Sequence, residues 1–262
     1  MNIVVCIKRV PETAESEVKV DESGKDIVKS RLTYDINEPD NYALEEAILL
    51  KEKFGGNITV ISVGTGESDE NLRMAIAKGA DTAIRVDIPN VNELDGFNVA
   101  ELIKAVIKNI QFDLILTGCI AKDDGCSQVG PMVAELLAIP HATLVTEVKI
   151  EGDATSNGKA NVKRELEGGL LESLEIKLPA LFTVQTGINE PRYASLIAIR
   201  RATAKEIKVF SVSELGLTNI SSRTSIESLF VPPVGKRAEI IKGSADEVST
   251  KLAGIIKEKG LL

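Results

Sequence analysis

The feature that most constrains this chain is the alternation, through its first half, of short apolar β-branched runs with helix-length amphipathic segments. Residues 2–8, Ile58–Val63, Thr82–Val86 and Phe112–Thr117 read as strands, with the near-continuous apolar character of strands covered on both faces. Between them, Pro39–Phe54, Glu67–Lys78 and Asn98–Ile110 carry apolar residues at helical spacing, and the first two stop at Gly55-Gly56 and Gly79. The pattern is βαβαβαβ, which buries its apolar faces as an open, mainly parallel sheet with helices on both sides. A core of Ile, Leu, Val and Ala, with no Trp and only 3% aromatic residues, suits such a sheet. Ligands of these sheets bind at the carboxyl ends of the strands, beside a topological switch point. That rule directs attention to Lys8–Pro11, Val63–Gly66 and Gly118–Gly130.

After Pro140 the texture changes. Leu144–Glu151, Lys159–Leu166, Leu174–Leu178 and Leu181–Gln185, separated by Gly152, Asn157, Gly158 and Gly168-Gly169, predict an antiparallel, hairpin-rich extension. From Asn189 onward, short apolar clusters alternate with polar residues and Pro232-Pro233 until a final helix expected over Ala245–Lys259. A tail of this composition buries itself poorly, so it is expected to pack on another subunit.

The balance of 44% hydrophobic and 27% charged residues is that of a folded globular protein. A net charge of -8 disfavours binding to DNA or to anionic membranes, both of which select for excess Lys and Arg. Apolar runs such as Ala43–Leu50 fall far short of the roughly 20 residues that span a bilayer. Met1 leads straight into the first strand, so no signal peptide is expected and the expected compartment is cytoplasmic. Three cysteines in that setting predict free thiols rather than a disulfide.

Each candidate motif also has a plainer role. Gly64-Thr65-Gly66 sits where a phosphate-cradling βα turn would lie, but neither G-x-G-x-x-G nor G-x-x-x-x-G-K-[ST] is present, which disfavours a standard dinucleotide fold or P-loop. The run Gly118–Gly130, GCIAKDDGCSQVG, is stronger. Ser127 is expected to N-cap a helix over Gln128–Leu137, whose first amides would favour a phosphate, with Gln128 placed to bond a ribose or phosphate oxygen. The plainer role is a solvated loop ending in a good cap. Cys119, Cys126 and His141 match no common zinc spacing, so no metal is expected, and His141 is expected to be a partly buried structural residue. Glu165, Glu167, Glu172 and Glu175 suit the solvated face of strands better than a catalytic pair. Arg200 and Arg201, with Lys205 and Lys208, read either as a solvated helix or as a docking patch for acidic partners.

Together these segments resemble the β subunit of electron-transferring flavoproteins. The resemblance runs from Val4-Val5-Cys6-Ile7-Lys8-Arg9-Val10 to about Phe210, through Asn37 and Glu45-Glu46-Ala47, to Asn189-Glu190-Pro191-Arg192-Tyr193-Ala194. Its most specific part is VKRELEGGLLESLEIKLPALFT, residues 162–183, in which Phe182 stands where the pattern usually has an aliphatic residue.

The resemblance implies a Rossmann-like, adenine-nucleotide-binding α/β fold with an antiparallel extension. Residues 1–189 would form the nucleotide-binding domain with its hairpins, and 190–262 the recognition loop and an extended C-terminal arm. It implies an obligate heterodimer with an alpha subunit that holds most of one FAD. It also implies a second nucleotide, AMP or a second FAD, in this chain. The contacts would come from Cys6, Asn37, Val63, Asp123, Cys126, Ser127, Gln128 and Val129. Gln128-Val129-Gly130-Pro131 looks more like the electron-bifurcating relatives that use NADH and a second FAD. Leu196 matches the leucine that anchors on acyl-CoA dehydrogenases, with Arg200 and Arg201 steering the encounter. On this resemblance the chain is an electron carrier with no catalytic residue of its own. A stand-alone adenine-nucleotide-binding protein is the remoter alternative, and a hydrolase using Ser127 or Cys126 lacks a nearby general base other than His141.

Overall fold

The computed structural model describes residues 1–14, 17–30, 32–90, 94–152, 155, 158–218, 220–233, 235 and 238–261; the expected turn residue Asn157 lies outside them. In chain order the first half forms β1 (Asn2–Cys6), β2 (Arg9–Pro11), β3 (Tyr34–Ile36), α1 (Glu38–Phe54), β4 (Asn57–Gly64), α2 (Asp69–Lys78), β5 (Thr82–Asp87), α3 (Gly96–Ile107), β6 (Leu114–Gly118) and α4 (Val129–Leu137). The second half forms β7 (His141–Glu151), β8 (Lys159–Leu166), β9 (Leu170–Lys177), β10 (Ala180–Val184), α5 (Leu196–Ala202), β11 (Ile207–Ser211) and α6 (Ala245–Glu258).

One nine-stranded sheet organises the chain, in the order β11-β5-β4-β1-β6-β10-β7-β8-β9. From β11 to β7 every neighbouring pair is parallel, and β7-β8 and β8-β9 are antiparallel. The sheet is parallel where helices cover both faces and turns antiparallel only where it runs beyond them. β1 lies at the centre, with Val4 opposite both Thr59 of β4 and Ile115 of β6. Its side chains alternate. Ile3 and Val5 join Leu44, Ala47 and Leu72 of α1 and α2 on one face, whereas Val4 and Cys6 join Leu102, Val106 and Val133 of α3 and α4 on the other. Period two in the strand therefore divides the core into two layers.

Three expectations need correction here. Leu181–Gln185 is not part of the antiparallel extension: its strand, β10, lies between β6 and β7 and parallel to both. Every residue of β10 is buried, as the unbroken apolar run ALFTV of a central parallel strand requires. Lys208 does not continue a helix from Arg200 but belongs to β11, which pairs with β5 at the sheet edge. His141 is exposed at the first position of β7 rather than partly buried. The small antiparallel ribbon of β2 and β3, Arg9 opposite Ile36, was not legible in the pattern. The carboxylates of the extension do not share one strand face: Glu167 lies in the turn after β8, and Glu172 is on the face of β9 that carries the buried Ile176 while Glu175 is on the other. Glu175 pairs with Lys159 at 2.6 Å and Glu172 with Arg164 at 3.3 Å, on the surface of the meander.

Candidate functional site

The strand order reverses at β1: the chain passes to β4 and β5 on one side, then returns to β6 on the other. Connections over opposite faces leave a crevice beyond the carboxyl ends of β1 and β6, the usual ligand position in such sheets. A cavity of about 840 Å³ occupies that place, within the roughly 300–1,000 Å³ typical of small-molecule sites. Cys6, Asn37, Val63, Asp123, Cys126, Ser127, Gln128 and Val129 all line it. So do Gly64 and Thr65 of the βα turn, and Ile226 and Leu229 of the C-terminal segment, whose Leu229 amide donates to the Gly24 carbonyl at 2.7 Å.

A residue that the sequence did not single out holds the crevice together. Asp40, in the first turn of α1, is buried, and its two carboxylate oxygens accept from the Lys8 amide (2.7 Å) and the Gly118 amide (2.8 Å). One side chain thus joins the chain leaving β1 to the end of β6. Burial pushes its pKa up to about 7, outweighing the two amide hydrogen bonds that favour the ion. Gly118 has to be glycine, because a Cβ there would overlap Asp40 Oδ1 and lie 2.8 Å from the Asp40 nitrogen. Asn37, just before α1, does not cap that helix. Its amide nitrogen donates to the Ile120 carbonyl at 2.8 Å and its oxygen accepts from the Lys122 amide at 3.1 Å, fastening the long loop after β6.

That loop carries an ion cluster at the cavity edge. Lys8 Nζ lies 2.7 Å from Asp123 Oδ1 and 2.8 Å from Asp124 Oδ2. Burial works against the ammonium, but the carboxylates of Asp123 and Asp124 outweigh it and raise its pKa. Burial likewise opposes the Asp124 carboxylate, yet the Cys126 amide and Lys8 hold its pKa below the ordinary value. The thiols are not poised as nucleophiles. Burial pushes Cys6 up to about 12, and burial together with the Asp124 charge raises Cys126.

The helix start differs from the expectation. Ser127 adopts φ 53°, in the left-handed region, and Gln128 rather than Ser127 occupies the cap position, with no side-chain cap bond. The turn brings the chain sharply into α4, leaving the first-turn amides without intrahelical acceptors. Close approach sets the next residue: a Cβ on Gly130 would lie 2.6 Å from Thr183 Cγ2 and 2.8 Å from Thr117 Oγ1. The end of α4 nearest the cavity therefore rests directly on β6 and β10. The donor set fits an adenine nucleotide. Val63, Val99 and Ile103 offer apolar wall for a base; Asn37, Ser127 and Gln128 offer hydrogen bonds; and the α4 amides offer a favourable field for a phosphate. Among the described residues no cluster of His, Cys, Asp and Glu has the arrangement of a metal site.

A second feature lies apart from the cavity. Tyr193, Leu196 and Ile197 are 97%, 83% and 66% exposed, an unusual cluster of large apolar groups, and Arg200 and Arg201 are exposed on the same short helix α5. Helix α6 has no buried residue, and Phe230, Val231 and Ile240 before it are exposed. No helix among the described residues is long and apolar enough to cross a membrane.

Fold and crevice define the class: a doubly wound α/β protein with its ligand crevice at the β1/β6 switch point, extended by an antiparallel meander and a poorly buried arm. Comparison with known proteins is specific. The sequence pattern of the electron transfer flavoprotein domain matches residues 26–215. The electron transfer flavoprotein subunit beta of Methylophilus methylotrophus is 36% identical over 265 residues, covering 98% of each chain. Those of Bacillus subtilis and Bos taurus are each 36% identical, over 99% of this chain and 98% of theirs. This chain belongs to the electron transfer flavoprotein family, as one of its β subunits.

Proposed function

We propose that this chain is the β half of a heterodimeric electron carrier, with residues 1–189 binding an adenine nucleotide at the β1/β6 crevice and 190–262 docking partners. The observation that carries the reading is the crevice itself: an apolar-walled cavity at a switch point, bounded by a helix start and closed by Asp40 and Asn37. FAD, held mainly by the alpha subunit, supplies the reversible redox chemistry. This chain's residues bind and orient. Asn37, Ser127, Gln128 and the amide of Val129 hold the nucleotide in this chain, while Cys6 and Val63 contribute shape. Asp123 and Cys126 form its rim. Among its own residues none acts as a chemical catalyst.

The exposed α5 cluster is the docking element for an acyl-CoA dehydrogenase or a similar flavoprotein. Leu196 supplies apolar anchorage, and Arg200 and Arg201 accelerate encounter with an acidic surface. The unburied faces of α6 and its leading segment pack on the alpha subunit. The protein works in the cytoplasm. A second reading, in which the crevice takes FAD and the complex bifurcates electrons from NADH, is favoured by the cavity's size, near the upper end of small-molecule sites at about 840 Å³.

The deciding experiment is the nucleotide content of the complex after co-expression with its alpha partner. One FAD and one AMP per heterodimer supports the simple carrier. Two FAD without AMP supports bifurcation, and neither nucleotide with no stable complex refutes both.

A further inference from the structure

The docking segment has almost no interior of its own. Only Ala202 of the seven-residue helix α5 is buried, and a helix of that length does not persist in water unaided. The structure nevertheless fixes both of its ends, and it does so with two guanidinium groups that tie the segment to two different helices, α1 and α2.

Before α5, Arg192 reaches back to α1. Its Nε and Nη2 lie 3.0 and 2.8 Å from Glu45 Oε1, its Nη1 2.6 Å from Glu52 Oε1, and its own amide donates to Glu45 Oε2 at 3.0 Å. The Glu45 carboxylate is buried, so the fork is held by an acceptor that cannot turn to water. Asn189 adds a bond to Glu46 Oε2 at 3.0 Å and one to the Tyr42 carbonyl at 3.1 Å. After α5, Arg73 of α2 donates through Nη1 to the carbonyls of Ala202, Thr203 and Lys205, at 3.1, 2.9 and 3.0 Å. These carbonyls lie at and just beyond the end of the helix, where the cation complements the helix dipole and gives each a charged donor; that of Ala202 also accepts from the Lys205 amide at 3.1 Å.

We propose that Arg192 and Arg73 are positioning residues for docking: they pin the two ends of α5 so that Leu196, Ile197 and the arginine pair are presented in one arrangement before a partner arrives. The proposal rests on the docking reading of α5 given above. Neither guanidinium touches the sheet core or the nucleotide crevice. What they remove is the ordering cost that an unpinned segment would carry into each encounter. Their loss should therefore weaken association while leaving electron transfer inside the formed complex intact.

The test uses the heterodimer with its nucleotides, as wild type, Arg73→Gln, Arg192→Lys and Leu196→Ala. Two quantities are read: amide hydrogen exchange over residues 196–205, and KM and kcat with the heterodimer as electron acceptor of an acyl-CoA dehydrogenase. In Arg73→Gln, exchange in that segment should accelerate about tenfold or more, the size expected for losing charge-assisted hydrogen bonds, with an unchanged melting midpoint. KM should rise several-fold with kcat preserved. Arg192→Lys keeps the charge but loses the fork, and should give a smaller change in the same direction. If Leu196→Ala raises KM while both arginine variants leave KM or local exchange unaltered, pinning is refuted and docking stands. If Leu196→Ala also leaves KM unaltered, the docking reading fails and the proposal fails with it.

Discussion

Asp40 links the geometry of the crevice to a measurable dependence on pH. Its carboxyl rises from an ordinary 3.8 to about 7 in the folded chain because burial disfavours the charge more than the Lys8 and Gly118 amides favour it. A folded-state pKa above the unfolded one means that the folded chain binds more protons between those values. Asp40's contribution to stability is thus fully present below about pH 4, declines as pH rises and is lost above about pH 7. Between pH 5 and pH 8 the loss from this one group is on the order of 3 kcal/mol. Asp40→Asn cannot titrate, but its NH₂ would face a backbone N–H where an oxygen now accepts, a fixed cost of about 1–3 kcal/mol. The quantity to measure is therefore the wild-type minus Asp40→Asn difference in unfolding free energy, by urea titration of the nucleotide-free chain at several pH values. That difference should fall toward high pH by about 3 kcal/mol, whatever its absolute offset. A flat difference from pH 5 to pH 8 would refute the assignment of a protonating carboxyl at the strand junction.

Three further perturbations test the crevice. Gly130→Ala forces α4 away from Thr117 and Thr183, so it should cost about 1–3 kcal/mol in urea titration and abolish nucleotide retention on purification. Lys8→Met leaves Asp123 and Asp124 side by side without their cation, and should weaken AMP binding measured by calorimetry; equal affinity in the two proteins would exclude a role for the cluster. Cys126, with its pKa raised by burial and by Asp124, should react with iodoacetamide at pH 8 more slowly than free cysteine, and more slowly still with AMP present. Protection by AMP is the decisive half of that test, since exposure of Cys126 without nucleotide is already visible.

The sequence by itself determined the local elements and where to look. The short β-branched run Ile58–Val63 reads as a buried strand and the spacing of Ala43, Ala47, Ile48 and Leu50 as a helix, and both are so in the structure. The strand-end rule led from there to the loops that line the cavity, because that rule depends on topology and not on any one side chain. Composition placed Arg200 and Arg201 at the surface under either of the roles read for them, whereas Leu196 was singled out by the resemblance alone.

What the tertiary structure alone decided was pairing across distance. β10 has the same local signature whether it closes a hairpin or enters the sheet between β6 and β7, and only the space left beside β6 selects the second. Asp40 reads as an ordinary acidic residue in a helix first turn until Lys8 and Gly118, far apart in the chain, bring their amides to it. Ser127 looks like a cap by residue type, yet it lies in the left-handed region at the entry into α4, a helix whose Gly130 rests closely on Thr117 and Thr183. Arg73 and Arg192 are simple surface cations in the sequence, and their partners are 129 and 147 residues away. Periodicity is written between neighbours and survives in the sequence. Hydrogen bonds between distant segments exist only after the sheet has brought those segments together.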